Sequence, residues 1–193
     1  MSIAILKYNA GNITSVQNSL TRLGFDSVVT DDIGELKNAD RVIFPGVGEA
    51  SSAMNYLKER GLDETIRNLK QPVLGICLGQ QLMCAFSEEG NVNCLGIFKT
   101  IVKKFPQTDL VPQMGWNSLT QLSGTLFQGI NESDDVYFVH SYYAEICDKT
   151  VATCNYILPF SAALQKDNFY ATQFHPEKSG SVGEQILMNF LKL

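Results

Sequence analysis

The chain opens with a short apolar run, Ile3-Ala4-Ile5-Leu6, that stops at the turn-forming Asn9-Ala10-Gly11-Asn12. Four consecutive apolar residues bounded by turn chemistry read as a buried strand. From residue 13 to 23 the period changes: Ile13, Val16, Leu20 and Leu23 recur at the spacing of one helical face, and Gly24 closes the helix. The two periods then alternate. Residues 27–30 read as a strand, 33–37 as a short helix, and 41–44 as a third strand running into Pro45-Gly46-Val47-Gly48. Residues 53–60 and 63–69 read as helices, 73–76 after Pro72 as a strand, and about 78–86 as a helix. Strands separated by helices predict a parallel sheet with helices on both faces.

The second half changes character. Residues 97–105, 117–122, 135–144, 151–157 and 162–173 are mostly strand-like, with turns between them. They are expected to form a mixed or antiparallel extension of the same sheet. Val182, Ile186, Leu187, Phe190 and Leu191 return to helical spacing, so residues 182–193 are expected to end the chain on a helix that folds back. With no repeat, low-complexity tract or linker, residues 1–193 read as one domain of α/β class. Its central sheet is expected to be mixed but largely parallel, with helices on both faces and a strand-rich second half.

Composition adds exclusions. With 45% hydrophobic and 18% charged residues among 193, the chain has the makings of an ordinary core. A net charge of -5 provides no basic field for nucleic acid, and Lys103-Lys104 reads as a solvated strand end. No apolar run approaches the ~20 residues that span a bilayer, and no basic region precedes the first apolar stretch. Neither a membrane nor a nucleic-acid partner is expected, and the cytoplasm is the expected compartment. The five cysteines (Cys77, Cys84, Cys94, Cys147, Cys154) are odd in number, form no C-x-x-C pair and sit in mainly apolar surroundings, which argues against a disulfide framework or a zinc site. Imidazole chemistry must use His140 or His175, the only two histidines.

Gly75-Ile76-Cys77-Leu78-Gly79 has the spacing of a nucleophile elbow, in which two glycines permit a sharp strand-to-helix turn with Cys77 at its tip. The positive end of the following helix favours thiolate over thiol there. A buried structural cysteine in a glycine-bearing turn is the plain alternative. In Gln173-Phe174-His175-Pro176-Glu177-Lys178-Ser179 a histidine and a carboxylate are separated by one residue. In extended backbone the two point to the same side, so Glu177 can hold the imidazole while its other nitrogen faces a thiol. On its own this is an unremarkable surface loop; beside the elbow it completes a triad. The glycines of Pro45-Gly46-Val47-Gly48 free backbone N–H groups for an oxyanion, with the N–H of Leu78 as one donor and Val47 or Gly48 as the other.

Taken together, PGVG, GICLGQQLM, SEEG, QMGWN, VHSYY and QFHPEKS resemble, in order and over essentially the whole chain, the class I glutamine amidotransferases. The MGWN and PGVG segments resemble the branch that serves as glutaminase subunit of imidazole glycerol phosphate synthases. The resemblance implies Cys77 as nucleophile, His175 as acid and base, and Glu177 as its orienter. It implies that Gly48, Gln81, Ser141 and Tyr142 hold the backbone groups of glutamine, with Glu89 at its ammonium, and that Lys178 lies at a partner face. No cofactor or metal is implied. The chain has no nucleotide-binding G-x-x-x-x-G-K-[ST] loop and no room for a second catalytic domain, so released ammonia must be used by another polypeptide. The implied partner is a (β/α)8-barrel cyclase in a heterodimer, within histidine biosynthesis. Other readings are a glutaminase for sugar amidation or anthranilate synthesis, a Cys-His hydrolase of another substrate, and a non-catalytic partner-binding module. His140 is expected to be structurally satisfied, and the other four cysteines to be core residues.

Overall fold

Apolar runs in the first half become the parallel strands of a central sheet, and the 3.6-period segments cover them. The computed structural model describes residues 1–193. In chain order the first half is β1 (Ile3–Leu6), α1 (Ile13–Arg22), β2 (Val28–Thr30), α2 (Ile33–Asn38), β3 (Arg41–Phe44), α3 (Ala50–Glu59), α4 (Leu62–Asn68), β4 (Val73–Ile76) and α5 (Leu78–Met83). Caps fix two of these helix starts. Asp32 accepts from the Glu35 N–H, and Glu49 accepts from the N–H groups of Ser51 and Ser52, satisfying donors that a helix leaves open.

Beyond α5 come β5 (Phe86–Ser87), β6 (Val92–Asn93), β7 (Ile101–Lys104), β8 (Gln113–Ser118), β9 (Asp135–His140), β10 (Tyr142–Ala144), β11 (Thr150–Tyr156), β12 (Leu158–Lys166), β13 (Phe169–Thr172) and α6 (Gly180–Leu191). The main sheet has the order β11-β12-β13-β4-β3-β1-β2. From β13 to β2 its neighbours are parallel, while β11, β12 and β13 pair antiparallel. This is the expected mixed, largely parallel sheet. Ala4, Leu6, Val42 and Phe44 join one apolar cluster, whereas Ile3, Ile5 and Ile43 join another. That period-two division marks the two faces of the sheet. The clusters hold 28 and 26 buried residues, so both faces are covered.

The second half departs from expectation in four places. The strand expected over 162–173 is a hairpin, because Asp167 takes φ 51° between β12 and β13 and reverses the chain. The strand expected over 135–144 breaks at Ser141, and its halves enter different sheets. Pairing across 113–118 begins before the expected 117, bringing the MGWN segment into β8. Only β11, β12 and β13 of the second half join the main sheet; β10-β7-β5-β6 and β8-β9 are separate sheets. The helix after Cys77 also stops at Met83 instead of reaching residue 86, since the chain must turn into β5. Lys103 and Lys104 close β7 as expected, Lys103 pairing with Glu145 at 2.6 Å. No helix is long and apolar enough to cross a membrane.

Candidate active site

Cys77 sits between β4 and α5 with φ 53° and ψ -104°, a conformation a side-chain-bearing residue adopts only where its surroundings enforce it. Two hydrogen bonds do so: the Cys77 N–H donates to the Thr172 carbonyl at 2.7 Å, and the Cys77 carbonyl accepts from the Gln81 N–H at 3.2 Å. The flanking glycines answer to close approach. A Cβ on Gly79 would collide with the Phe44 carbonyl oxygen, and one on Gly75 would lie 2.9 Å from the Gly79 backbone. Strand β3, strand β4 and helix α5 therefore meet behind the sulfur without intervening side chains.

His175 follows β13, and its N–H donates to the Tyr137 carbonyl of β9 at 2.9 Å. Residues Pro176–Lys178 form a single 3-10 turn. The expected extended link is thus corrected: the turn, not strand alternation, brings Glu177 back to the ring, with His175 Nδ1 and Glu177 Oε1 2.7 Å apart. Helix α6 backs this turn so closely that a Cβ on Gly183 would collide with the Pro176 carbonyl oxygen. Ser179 Oγ donates to the His175 carbonyl at 2.7 Å and accepts from the Tyr137 N–H at 3.0 Å. Asn12, at the start of α1, donates from Nδ2 to the same Glu177 oxygen at 2.6 Å. Its 3.3 Å approach to His175 Nδ1 brings together two donors to one carboxylate oxygen. Nothing in the turn-like NAGN segment marked Asn12 for this role.

Burial disfavours a charged imidazole at His175, but the neighbouring Cys77 and then Glu177 outweigh it and push its pKa up to about 10. Geometrically His175 Nε2 is buried and has no hydrogen-bond partner. Cys77 is thus close enough to His175 to raise its pKa, although no well-formed hydrogen bond joins the sulfur to Nε2.

A cavity of about 280 Å³ opens over the sulfur. Its walls contain Val47, Gly48, Cys77, Leu78, Gln81, Glu89, Ser141 and Tyr142, with Pro112, Val139 and His140 completing them. All of the expected glutamine and oxyanion residues thus lie together, while Lys178 is exposed and outside the lining. Glu89 is half-buried and accepts from the Ala50 N–H at 2.9 Å; burial raises its pKa. The Tyr142 carbonyl accepts from both Gln81 Nε2 (2.9 Å) and His140 Nδ1 (2.7 Å). The Leu78 N–H is already engaged, donating to the Gly46 carbonyl at 3.2 Å. No three His, Cys, Asp or Glu side chains are gathered as metal ligands. Cys84, Cys94 and Cys154 are core residues as expected; Cys147 is only half-buried.

Residues 5–193 match the family model for glutamine amidotransferase class-I. The chain belongs to that family. Among its relatives, the imidazole glycerol phosphate synthase subunit HisH of Bacteroides fragilis is 61% identical, with 100% of both chains covered. The protein of the same name from Haemophilus influenzae is 47% identical over 100% of this chain and 98% of its own. Two solved structures share the family's fold at low identity: a glutamine amidotransferase (TM-score 0.76, 18% identity, 98% and 97% covered) and PurLQS from Thermotoga maritima (TM-score 0.74, 16% identity, 99% and 97% covered).

Proposed function

We propose that this chain hydrolyses glutamine to glutamate and ammonia and passes the ammonia to a synthase subunit that makes imidazole glycerol phosphate and an aminoimidazole-carboxamide ribotide in histidine biosynthesis. One observation carries the chemistry: an elbow cysteine lines the same cavity as the residues expected to hold glutamine, and beside it lies a buried His-Glu pair whose histidine pKa that cysteine raises. Full-length identity of 61% to a synthase subunit carries the pathway.

Cys77 thiolate attacks the side-chain carbonyl carbon of glutamine, and the carbonyl electron pair moves onto oxygen. His175, held as imidazolium by Glu177, gives its proton to the departing nitrogen, which leaves as ammonia. Water then adds to the thioester, His175 takes its proton, and glutamate is released. Glu89 and the Gln81, Ser141 and Tyr142 group orient the amino-acid end of the substrate, while Leu78 and Val47 or Gly48 supply oxyanion donors.

The partner is proposed to be a (β/α)8-barrel cyclase forming a heterodimer in the cytoplasm. An apolar surface beside the site supports a docking face. Leu110, Met114 and Trp116 are 79%, 66% and 56% exposed, and Met114 pairs in register with Val139 of the cavity wall. Exposed Lys178, one residue from Glu177, is the proposed polar contact. In the complex, Cys77→Ala should lose glutamine-dependent synthesis and retain synthesis from added ammonium. Equal loss of both would mean that Cys77 is structural.

A further inference from the structure

Gln173 directly follows β13, and its N–H still pairs within the sheet, donating to the Ala162 carbonyl at 2.8 Å. Its side chain is fully buried, and burying a primary amide is unfavourable unless its polar atoms find partners. Those partners are not backbone groups. Gln173 Oε1 accepts from Gln81 Nε2 at 3.0 Å, and Gln173 Nε2 lies 3.6 Å from the Cys77 sulfur. Neighbouring Gln80, equally buried, shows the contrasting case: its Nε2 donates to the Ser161 backbone carbonyl at 3.0 Å.

The polarity of the chain of amides is set from one end. The Tyr142 carbonyl can only accept, so the Gln81 atom 2.9 Å away must be the nitrogen. The second N–H of that nitrogen needs an acceptor on Gln173, which is therefore Oε1. The NH2 group of Gln173 is left facing the sulfur. A donor, not an acceptor, is thereby aimed at the nucleophile.

The geometry points to Gln173 as a further catalytic residue: its side-chain N–H hydrogen-bonds the Cys77 thiolate, oriented by a relay through Gln81 to the Tyr142 carbonyl at the cavity wall. The assignment rests on the glutaminase reading above. An N–H donor favours sulfur in proportion to its negative charge. It therefore acts on the attacking thiolate and again when the second tetrahedral intermediate collapses, as the C–S bond breaks and its electron pair returns to sulfur. Between those points the thioester sulfur is neutral and the interaction is weak. Because Gln81 and Tyr142 also line the cavity, substrate settling against them bears on the amide that steadies the nucleophile.

The test reads the sulfur directly. Alkylation of Cys77 by iodoacetamide is followed against pH by mass spectrometry of its peptide, on the full chain without glutamine, for wild type, Gln173→Leu and Gln173→Glu. Loss of a charge-assisted hydrogen bond predicts that Gln173→Leu displaces the profile to higher pH by about one unit and slows alkylation at neutral pH about tenfold. Gln173→Glu, nearly identical in shape but presenting oxygens, should do at least as much. Turnover of glutamine should fall by a similar factor, with a smaller change in KM. A folded variant of either kind whose alkylation profile superimposes on wild type overturns the assignment. If Gln173→Leu does not fold, Gln173→Glu and Gln81→Leu, which removes the orienting amide, carry the same reading. Wild type that alkylates normally yet releases no ammonia from glutamine even with the synthase subunit bound and loaded would instead overturn the glutaminase reading and leave the hydrogen bond intact.

Discussion

At His140, burial and hydrogen bonding combine to make protonation costly. The ring is enclosed by Phe105, Phe138 and Phe160, and Nδ1 lies 2.7 Å from the Tyr142 carbonyl, which fixes the Nδ1–H tautomer. Burial, partly offset by that hydrogen bond and reinforced by His175, lowers its pKa from 6.5 to about 4. The unfolded chain therefore binds the proton more readily between those values, and stability contributed by the neutral ring is complete above pH 6.5 and lost as pH falls toward 4. The swing corresponds to about 3 kcal/mol. His140→Phe should remove it: in urea unfolding, the stability difference between wild type and variant should move by about that amount in the variant's favour from pH 7 to pH 4. A difference independent of pH would contradict the buried neutral state. The sequence made the elbow at Cys77 and the pairing of His175 with Glu177 legible, because each carries a local spacing, whereas His140, expected to be satisfied, bonds through Nδ1 and leaves Nε2 buried without a partner. Asn12 and Gln173 had no such mark. An asparagine in a turn and a glutamine at a strand end are common, and only the fold brings them against Glu177 and the sulfur.

The elements of the first half were legible for a physical reason: β1, β3 and β4 are central parallel strands covered on both faces, so they appear as uninterrupted apolar runs bracketed by turn residues. The later strands obey other constraints. Two-residue strands β5 and β6 are too short to show a period, and the β12–β13 hairpin depends on a positive φ at Asp167, which sequence pattern does not reveal. The site also depends on how elements meet. Helix α6 supports the His-Pro-Glu turn through Gly183, which has no space for a Cβ before the Pro176 carbonyl. Gly183→Ala improves helix propensity by roughly 1 kcal/mol but must displace the turn, and Glu177 with it, from its place beside Asn12. A displacement approaching 1 Å costs on the order of 10²-fold in a positioned reaction. The expected result is turnover lowered at least about tenfold with KM for glutamine little changed and the protein still folded. Wild-type turnover in this variant would show that the turn tolerates the shift.

Across the whole molecule, the backbone groups proposed as oxyanion donors are not all free to donate. The Leu78 N–H is taken by the Gly46 carbonyl at 3.2 Å, so in this arrangement it is not free for a tetrahedral intermediate. The peptides on either side are anchored: the Pro45 carbonyl accepts from Tyr8 Oη at 2.6 Å, and the Val47 carbonyl accepts from the Gly11 N–H at 3.0 Å. Between those anchors lies the single peptide that joins the Gly46 carbonyl to the Val47 N–H. Rotating it, through ψ of Gly46 and φ of Val47, would release the Leu78 N–H and turn the Val47 N–H toward the cavity in one motion, with the glycine at 46 easing the change. Val47 is 37% exposed at the mouth of the site, where a docked partner can bias the two orientations. One absent oxyanion donor costs about 10²- to 10³-fold in turnover, and this rotation supplies or withholds two. The isolated chain should therefore be a poor glutaminase, with turnover rising at least about 10²-fold when the synthase subunit is bound and carries its acceptor nucleotide. Gly46→Ala is not a usable probe, since its Cβ would collide with the Tyr8 hydroxyl. Tyr8→Phe is: it frees the Pro45 carbonyl while preserving the ring, and it should raise the partner-free rate by loosening one anchor. Glutamine turnover measured for the chain alone, with partner, and with loaded partner decides the matter, and equal rates in all three would mean that the donors are already in place.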